Sequence, residues 1–482
     1  MGRQVNEREI VLAVLMEITE NGAYSHKILG EVLSKYQYLE KKERAFITRV
    51  TEGTLEHLIE IDYILDQFSK VKVKKMKPVI RNILRSGVYQ LKYMDSVPDH
   101  AVCSEAVKLA VRKGFSGLKG YVNGVLRSVA RGLDTLDYPQ EGIEALSIQY
   151  SIPTWILRLW EKSYGEEVTR TMAADFLKER PVTIRCCQNK VTPEQLKKEL
   201  EQEGVTVQEH PYLPYAFFIS GYDYLESLDC FWKGWFTVQD VSSMLVAELA
   251  APEAGNKIVD ICAAPGGKSL HIAEKLWITD RNEAKKGEVE ARDLTEYKVG
   301  LIEENIARME LENIHAVCRD ATVPDEAWKE KADIVLADLP CSGLGVFGKK
   351  PDLKYRVKEE DLKELAGLQR KILENAQAMV KKAMIYPIAV CIVAIIVTIV
   401  MLVKVIPSYE EMFSQIGGEL PWITQFYVNL SHAIINYWFI IVPVIIAIVM
   451  GIKYFAKTDL GQHLFGKIAI KIPIFGKLTV KT

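Results

Sequence analysis

The chain has 482 residues, with 61 lysines and arginines against 63 aspartates and glutamates. The near-zero balance excludes a globally basic nucleic-acid binder, so any such surface has to be local, and the length leaves room for about two to four domains. Its eight cysteines make no CxxC pair and no zinc-finger spacing, so no metal site is expected and reduced thiols fit best. Met1–Glu9 is charged without an apolar run, so no secretory signal is expected there.

Residues 1–138 carry helical spacing throughout. Ile10, Val11, Val14, Leu15 and Ile18 mark one apolar face; Val102, Ala106, Val107, Ala110 and Val111 mark another, after a cap at Asp99. A basic run holds Lys70, Lys72, Lys74, Lys75, Lys77, Arg81 and Arg85, and Lys119, Arg127 and Arg131 add a second cluster. A solvated face is the plain explanation of such runs, and phosphate contact is the functional one, since it needs only clustered cations. Residues 139–224 are mixed. Trp155, Ile156, Leu159 and Trp160 fit a helix, RPVTIRC and YAFFIS fit strands, and TPEQLKKELEQEG fits a capped helix, together a small α+β domain.

From Phe236 strands alternate with helices: KIVDICAA, EVEARDL, IHAVCRD and ADIVLADLP as strands, KSLHIAEKL and TEYKVGLIEENIARME as helices, and EEDLKELAGLQRKILENAQAM as a long helix. Such alternation predicts a parallel sheet covered on both faces, in a domain spanning about residues 225–380. DICAAPGGKS, Asp260 to Ser269, ends a strand and opens a helix, with Gly266 and Gly267 allowing close backbone approach to a ligand. A phosphate loop would need glycine where Cys262 stands, and GxGxxG is absent. Asp293 and Asp320 close the next two strands, where acids can meet a ribose and an adenine amino group, so an adenosyl ligand without polyphosphate suits these groups. DLPCSGLGVFGKKPDLK, from Asp338 to Lys354, closes the fourth strand. An acid and a thiol three residues apart, Asp338 and Cys341, suit methylation of cytosine carbon-5, which needs a thiolate added at carbon-6 and an acid near ring nitrogen 3. A buried small residue in a turn is the plainer account of Cys341 taken alone.

DICAAPGGKS, VCRDAT, VLADLPCSGLGV and GWFTVQDVSSMLVAELAAP resemble the Sun/Fmu-type, RsmB-like 16S ribosomal RNA cytosine-5 methyltransferases. RNILRSGVYQLKYMDSVPDHAVCSEAVKLA and GYVNGVLRSVAR resemble the NusB-like domain of those enzymes. The resemblance covers about residues 1–380 and implies an all-α NusB-like domain, a small α+β domain and a Rossmann-like methyltransferase domain. It implies S-adenosylmethionine held by Cys262, Ala263, Ala264, Pro265, Gly266, Gly267, Lys268, Asp293 and Asp320. Asp338 would touch cofactor or target base, and Cys341 would assist release of the enzyme from the methylated base. One cytosine of 16S ribosomal RNA would be the substrate. RNA binding by the NusB-like part would use Lys72, Lys74, Lys75, Lys77, Arg81, Arg85, Lys119 and Arg127. Family members place the attacking cysteine in a Thr-Cys-Ser-like motif on a further strand. Here that motif is lost: Cys391 stands near the expected spacing, but between Val390 and Ile392, without the Thr and the Ser.

At about Val380 the composition changes where the next strand should come. Ala383 to Val403 is 21 residues without a charge, about 31 Å as a helix, and a second uncharged run covers about 434–452. KKAMIYPIAV, VIPSYEEMFSQIGGELPWITQ and IKIPIFGKL resemble the type II secretion system F family, which implies two spans in the inner-membrane lipid bilayer and a place in secretion or pilus machinery. Lysines flanking the runs put both ends in the cytoplasm, with residues 1–380 cytoplasmic. Two partial families thus meet near residue 380 without a linker, as in a join of two genes.

Overall fold

The computed structural model describes residues 6–178, 181–281 and 286–380, together with eight single positions between 393 and 439. The chain divides into two compact units, one of residues up to Val238 together with Asp338–Leu373, the other of Gln239–Ala337 with residues from Glu374 onward.

The first unit opens with α1 (Glu7–Thr19), α2 (Ser25–Lys35), α3 (Lys41–Glu56), α4 (Leu58–Phe68), α5 (Pro78–Tyr93), α6 (Asp99–Arg112) and α7 (Lys119–Gly132). Local chemistry sets their ends. The Asn6 side chain accepts from the Glu9 amide at 3.0 Å, Glu40 and Glu43 form a reciprocal capping box, and Pro78 opens α5, where its missing N–H costs nothing. Ile10, Val11, Val14, Leu15 and Ile18 are all buried in one core shared by these helices. In α6, Val102, Ala106 and Ala110 are buried but Val111 is 43% exposed. Pro98 holds the cap position and Asp99 is the first helical residue, one place inside the expected start.

Three helices follow, α8 (Gly142–Tyr150), α9 (Thr154–Tyr164) and α10 (Glu166–Phe176). Then come β1 (Val182–Cys186), α11 (Pro193–Gln202), β2 (Thr206–Glu209), β3 (Ala216–Ser220), α12 (Asp229–Trp232) and β4 (Phe236–Val238). The strands form an antiparallel sheet in the order β2-β3-β1-β4. Thr192 and Gln195 cap α11 reciprocally, as the TPEQ signal requires. Phe236, placed by its sequence at the head of the parallel sheet, pairs instead with Cys186 of β1. Three residues are too few for a pattern of alternation to assign them to one sheet or another.

The second unit holds α13 (Val241–Ala250), β5 (Lys257–Asp260), α14 (Gly267–Asp280), β6 (Glu288–Asp293), α15 (Glu296–Met309), β7 (Ile314–Cys318) and β8 (Ile334–Leu336). Its strands are parallel in the order β7-β6-β5-β8, so the direction of winding reverses between β5 and β8. After α16 (Leu353–Arg356), the long helix α17 (Asp361–Met379) leads to Val380, which pairs in parallel with Ala332, while the Glu330, Lys331 and Ala332 amides each donate over 3.0 Å to carbonyls of Ala378 or Met379. Val380 thus begins to align beside β8, where a further strand belongs. Cys391 and, apart from single positions, the apolar runs 383–403 and 434–452 lie outside the described residues. Among the described residues no helix is long and apolar enough to cross a membrane.

In the first unit, the segment around α16 is anchored on the N-terminal helices. Phe347, 2% exposed, packs its ring against Phe176 at a centroid distance of 4.1 Å and against Trp160 at 5.7 Å. The buried Asp352 carboxylate accepts from the Ser25 amide at 3.2 Å and from its hydroxyl, Arg356 donates to the Ala23 carbonyl, and Tyr355 donates to the Ser151 carbonyl at 3.2 Å. Lys354, 2% exposed, donates to the Glu56 carbonyl at 2.7 Å, and burial pushes its ammonium down to about 7. The unfolded chain keeps that proton up to about 10.5, so between about pH 7 and 10.5 the unfolded state binds more protons and stability rises with pH. Lys354→Met should flatten this rise, measured as urea midpoints at pH 7 and at about pH 9.

Candidate functional site

The site grows from the loop between β5 and α14, at the carboxyl edge of a parallel sheet and beside the switch point, where ligands bind in this architecture. Asp260, 1% exposed, ends β5, and its carboxylate accepts from the Ser269 hydroxyl at 2.6 Å and the Cys262 amide at 3.3 Å. The two ends of the loop are thereby tied together. The Ala263 amide donates to the Arg292 carbonyl at 2.7 Å and the Ala264 amide to Asp293 Oδ2 at 3.0 Å, which binds the loop to β6. The Ala264–Pro265 peptide is cis, and the exposed Pro265 accepts from Asn305 Nδ2 at 3.2 Å.

Gly266 has φ +101° and caps α14. A Cβ there would meet Leu270 at 3.2 Å and Ile302 at 3.4 Å, so both conformation and space call for glycine. At Gly267 an added Cβ would meet nothing within 4 Å, so the ground before the helix N-terminus is open for a ligand. Cys262 on this loop and Lys268 in the first turn of α14 are half-buried.

Asp293, 5% exposed, also accepts at Oδ1 from the Leu294 amide at 2.8 Å and from Lys298 Nζ at 2.9 Å. Its two oxygens offer about four lone-pair positions, so three bonds leave capacity for a hydroxyl. Asp320 is half-buried beyond β7, with Oδ1 accepting from the Thr322 amide at 2.8 Å. The sequence did not single out Lys298, Asn305 or Ser269; the i, i+5 spacing of Asp293 and Lys298 across a helix start was the available signal for the first.

Asp338 and Cys341, both exposed, belong to the first unit, where Gln369 Nε2 donates to the Pro340 carbonyl at 2.8 Å and steadies the backbone before Cys341. Gly343, at φ +71°, turns the chain after it.

The basic run divides in two. Arg81 donates to both Glu20 oxygens at 2.6 and 2.7 Å, and Arg85, 8% exposed, grips Asp62 at 2.6 and 2.7 Å. These two cations hold α5 against its neighbours. Lys72, Lys74, Lys75, Lys77, Lys119 and Arg127 are exposed, Lys72 reaching the Asp66 carbonyl at 2.9 Å. Among the described residues no group of His, Cys, Asp or Glu could hold a metal ion.

Three family models match the chain: the NusB family over residues 5–131, the RsmF/B-like ferredoxin-like domain over 152–222, and 16S rRNA methyltransferase RsmB/F over 247–399. The chain is 36% identical over 383 residues to the probable ribosomal RNA small subunit methyltransferase B of Bacillus subtilis, covering 79% of this chain and 83% of that one. It is 30% identical over 375 residues to the ribosomal RNA small subunit methyltransferase B of Vibrio cholerae, covering 78% and 83%. The crystal structure of PH0851 shares the fold, with a TM-score of 0.65 at 24% identity over 79% of this chain and 84% of that one. Gly266→Ala should lower stability by about 1–2 kcal/mol through its left-handed backbone, read from urea unfolding.

Proposed function

The chain belongs to the ribosomal RNA small subunit methyltransferase B family, S-adenosylmethionine-dependent enzymes of 16S ribosomal RNA, and on that premise we propose that it methylates carbon-5 of a cytosine in that RNA. The observation that carries the proposal is the glycine loop Cys262–Lys268, tied to β6 through Ala264 and Asp293 and left open before Gly267 at the switch point of the sheet.

S-adenosylmethionine supplies an electrophilic methyl group. The loop amides and Gly266–Gly267 would take its amino-acid end, Asp293 would accept from a ribose hydroxyl, and Asp320 would accept from the adenine amino group. Carbon-5 of cytosine is a poor nucleophile, so the proposal requires a thiolate to bond to carbon-6, with Asp338 near ring nitrogen 3. Electron density then moves to carbon-5, which would bond to the methyl group as the methyl–sulfur bond breaks and S-adenosylhomocysteine leaves. Loss of the carbon-5 proton expels the thiolate and restores the ring. Cys391 is assigned the attack, supported by the family match that runs through its position to residue 399. Cys341, on the exposed and steadied turn, is assigned the release. Lys72, Lys74, Lys75, Lys77, Lys119 and Arg127 offer phosphate contacts, a role that needs exposed cations, whereas Arg81 and Arg85 act on the fold.

The two uncharged runs within residues 381–482 support an alternative reading, a pair of membrane spans of the secretion F kind, which would place Cys391 in the bilayer and withdraw it from the attack.

Methyl transfer to unmethylated small-subunit RNA tests the thiol roles. Cys391→Ala should abolish transfer, and Cys341→Ala should accumulate a covalent protein–RNA adduct resolved on a denaturing gel. Transfer lost in Cys341→Ala and untouched in Cys391→Ala would exchange the two assignments. On the alternative reading carbonate-washed membranes retain the full-length chain and Cys391→Ala leaves transfer unchanged; recovery in the soluble fraction would remove the membrane assignment.

A further inference from the structure

Two Arg-Asp dipeptides stand side by side at the carboxyl edge of the parallel sheet. Arg292–Asp293 ends β6 and Arg319–Asp320 follows β7; Asp293 is paired with Cys318, and the Arg319 amide donates to the Asp293 carbonyl at 2.9 Å. Side chains alternate along a strand, so Arg292 in β6 is directed away from Asp293. Both arginines meet one carboxylate. Asp325 Oδ2 lies 2.9 Å from an Arg292 terminal nitrogen, and Oδ1 lies 2.9 Å from one of Arg319. Asp325 is 6% exposed and Arg292 2%. Asp325 Oδ1 also accepts from the Ala327 amide at 3.0 Å. Arg292 Nε donates to Glu290 at 2.6 Å, and the other Glu290 oxygen accepts from the Trp328 ring nitrogen at 3.1 Å, with the Arg292 guanidinium 5.7 Å from that ring's centroid.

Two guanidinium groups and two carboxylates therefore neutralise one another beneath the loop that carries Asp320. A buried ion pair is a poor way to add stability, because desolvation offsets most of the attraction, but it holds its charges at a set separation where an apolar contact would slide; Arg292 and Asp325 meet at 2.9 Å in this way, without hydrogen-bond alignment. Asp325 is the one member that reaches both strands' arginines.

We infer that Asp325 is a positioning residue which, through Arg292 and Arg319, sets the spacing of Asp293 and Asp320 and so the selectivity of the site for an adenine ring. The inference rests on the proposed contact between Asp320 and the adenine amino group.

The test is equilibrium binding of S-adenosylhomocysteine and of its deaminated S-inosyl analogue to the full chain and its variants. The analogue carries a carbonyl where adenine has an amino group and a proton on the adjoining ring nitrogen, so the affinity ratio reports contacts to that edge of the ring. The parent chain should prefer the adenosyl ligand by at least about tenfold, and Asp320→Asn should erase the preference. Asp325→Asn should reduce the ratio by about threefold or more, with the far-ultraviolet dichroism unchanged. Arg319→Met, at a side chain 39% exposed, should act in the same direction and stands in if Asp325→Asn does not fold. An unchanged ratio in a folded variant overturns the inference, as does an equal loss of affinity for both ligands, which marks a merely structural role. A parent chain without preference overturns both. If Asp320→Asn keeps the preference, the contact assigned to Asp320 falls and the inference falls with it; if Asp320→Asn erases the preference while Asp325→Asn keeps it, the inference alone falls.

Discussion

The Asp293 carboxylate is the constraint on which the second unit's site depends. It is nearly buried, yet it closes β6, receives the Ala264 amide from the glycine loop, receives the Leu294 amide at the turn into α15, and pairs with Lys298 on that helix. Each bond is charge-assisted, the stronger class in a poorly hydrated place. The loop is held from the other side by Asn305 on Pro265 and from below by Asp260 and Ser269. A ligand entering this site meets a backbone already ordered, so little of its binding energy goes into arranging the protein.

Much of this was legible in the sequence, and the reasons are physical. Buried parallel strands have to be apolar on both faces, so KIVD and ADIVL stand out from any loop. The start of α11 was marked by its capping side chains, Thr192 and Gln195. The glycine loop was legible because only glycine meets the demands of Gly266. What escaped was either too short or too distant. Polar β2 has the exposed sequence TVQE, which carries no apolar signal, and β4 has three residues. Arg81 and Arg85 sit in a run of cations that looks uniform along the chain, but their partners Glu20 and Asp62 come from other helices. Spacing along a sequence cannot tell a cation bound to a carboxylate from one left for a phosphate. The Arg-Asp repeat was visible in ARDL and CRDAT, though not the single acid on which its arginines converge.

Position near Val380 shows a related limit. Composition marks a change of character there, and the backbone at Val380 nonetheless takes the place next to Ala332 that the sheet topology offers. Hydrogen-bond geometry at the start of a strand is blind to side chains, since amides and carbonyls are the same in either kind of sequence.

The bond between Asp352 and Ser25 joins residues 327 apart in the chain. During synthesis, at roughly 5–20 residues per second, the turn before α2 waits on the order of 15–65 s for its partner to leave the ribosome. The apolar core of these helices draws on residues 10–138, so it can close first and present Ala23, Ser25 and Glu56 as a preformed seat. The segment after the Cys341 turn then arrives at a surface rather than at another unfolded chain. Translation order thus gives the oldest part of the molecule the role of template for one of its last-made pieces.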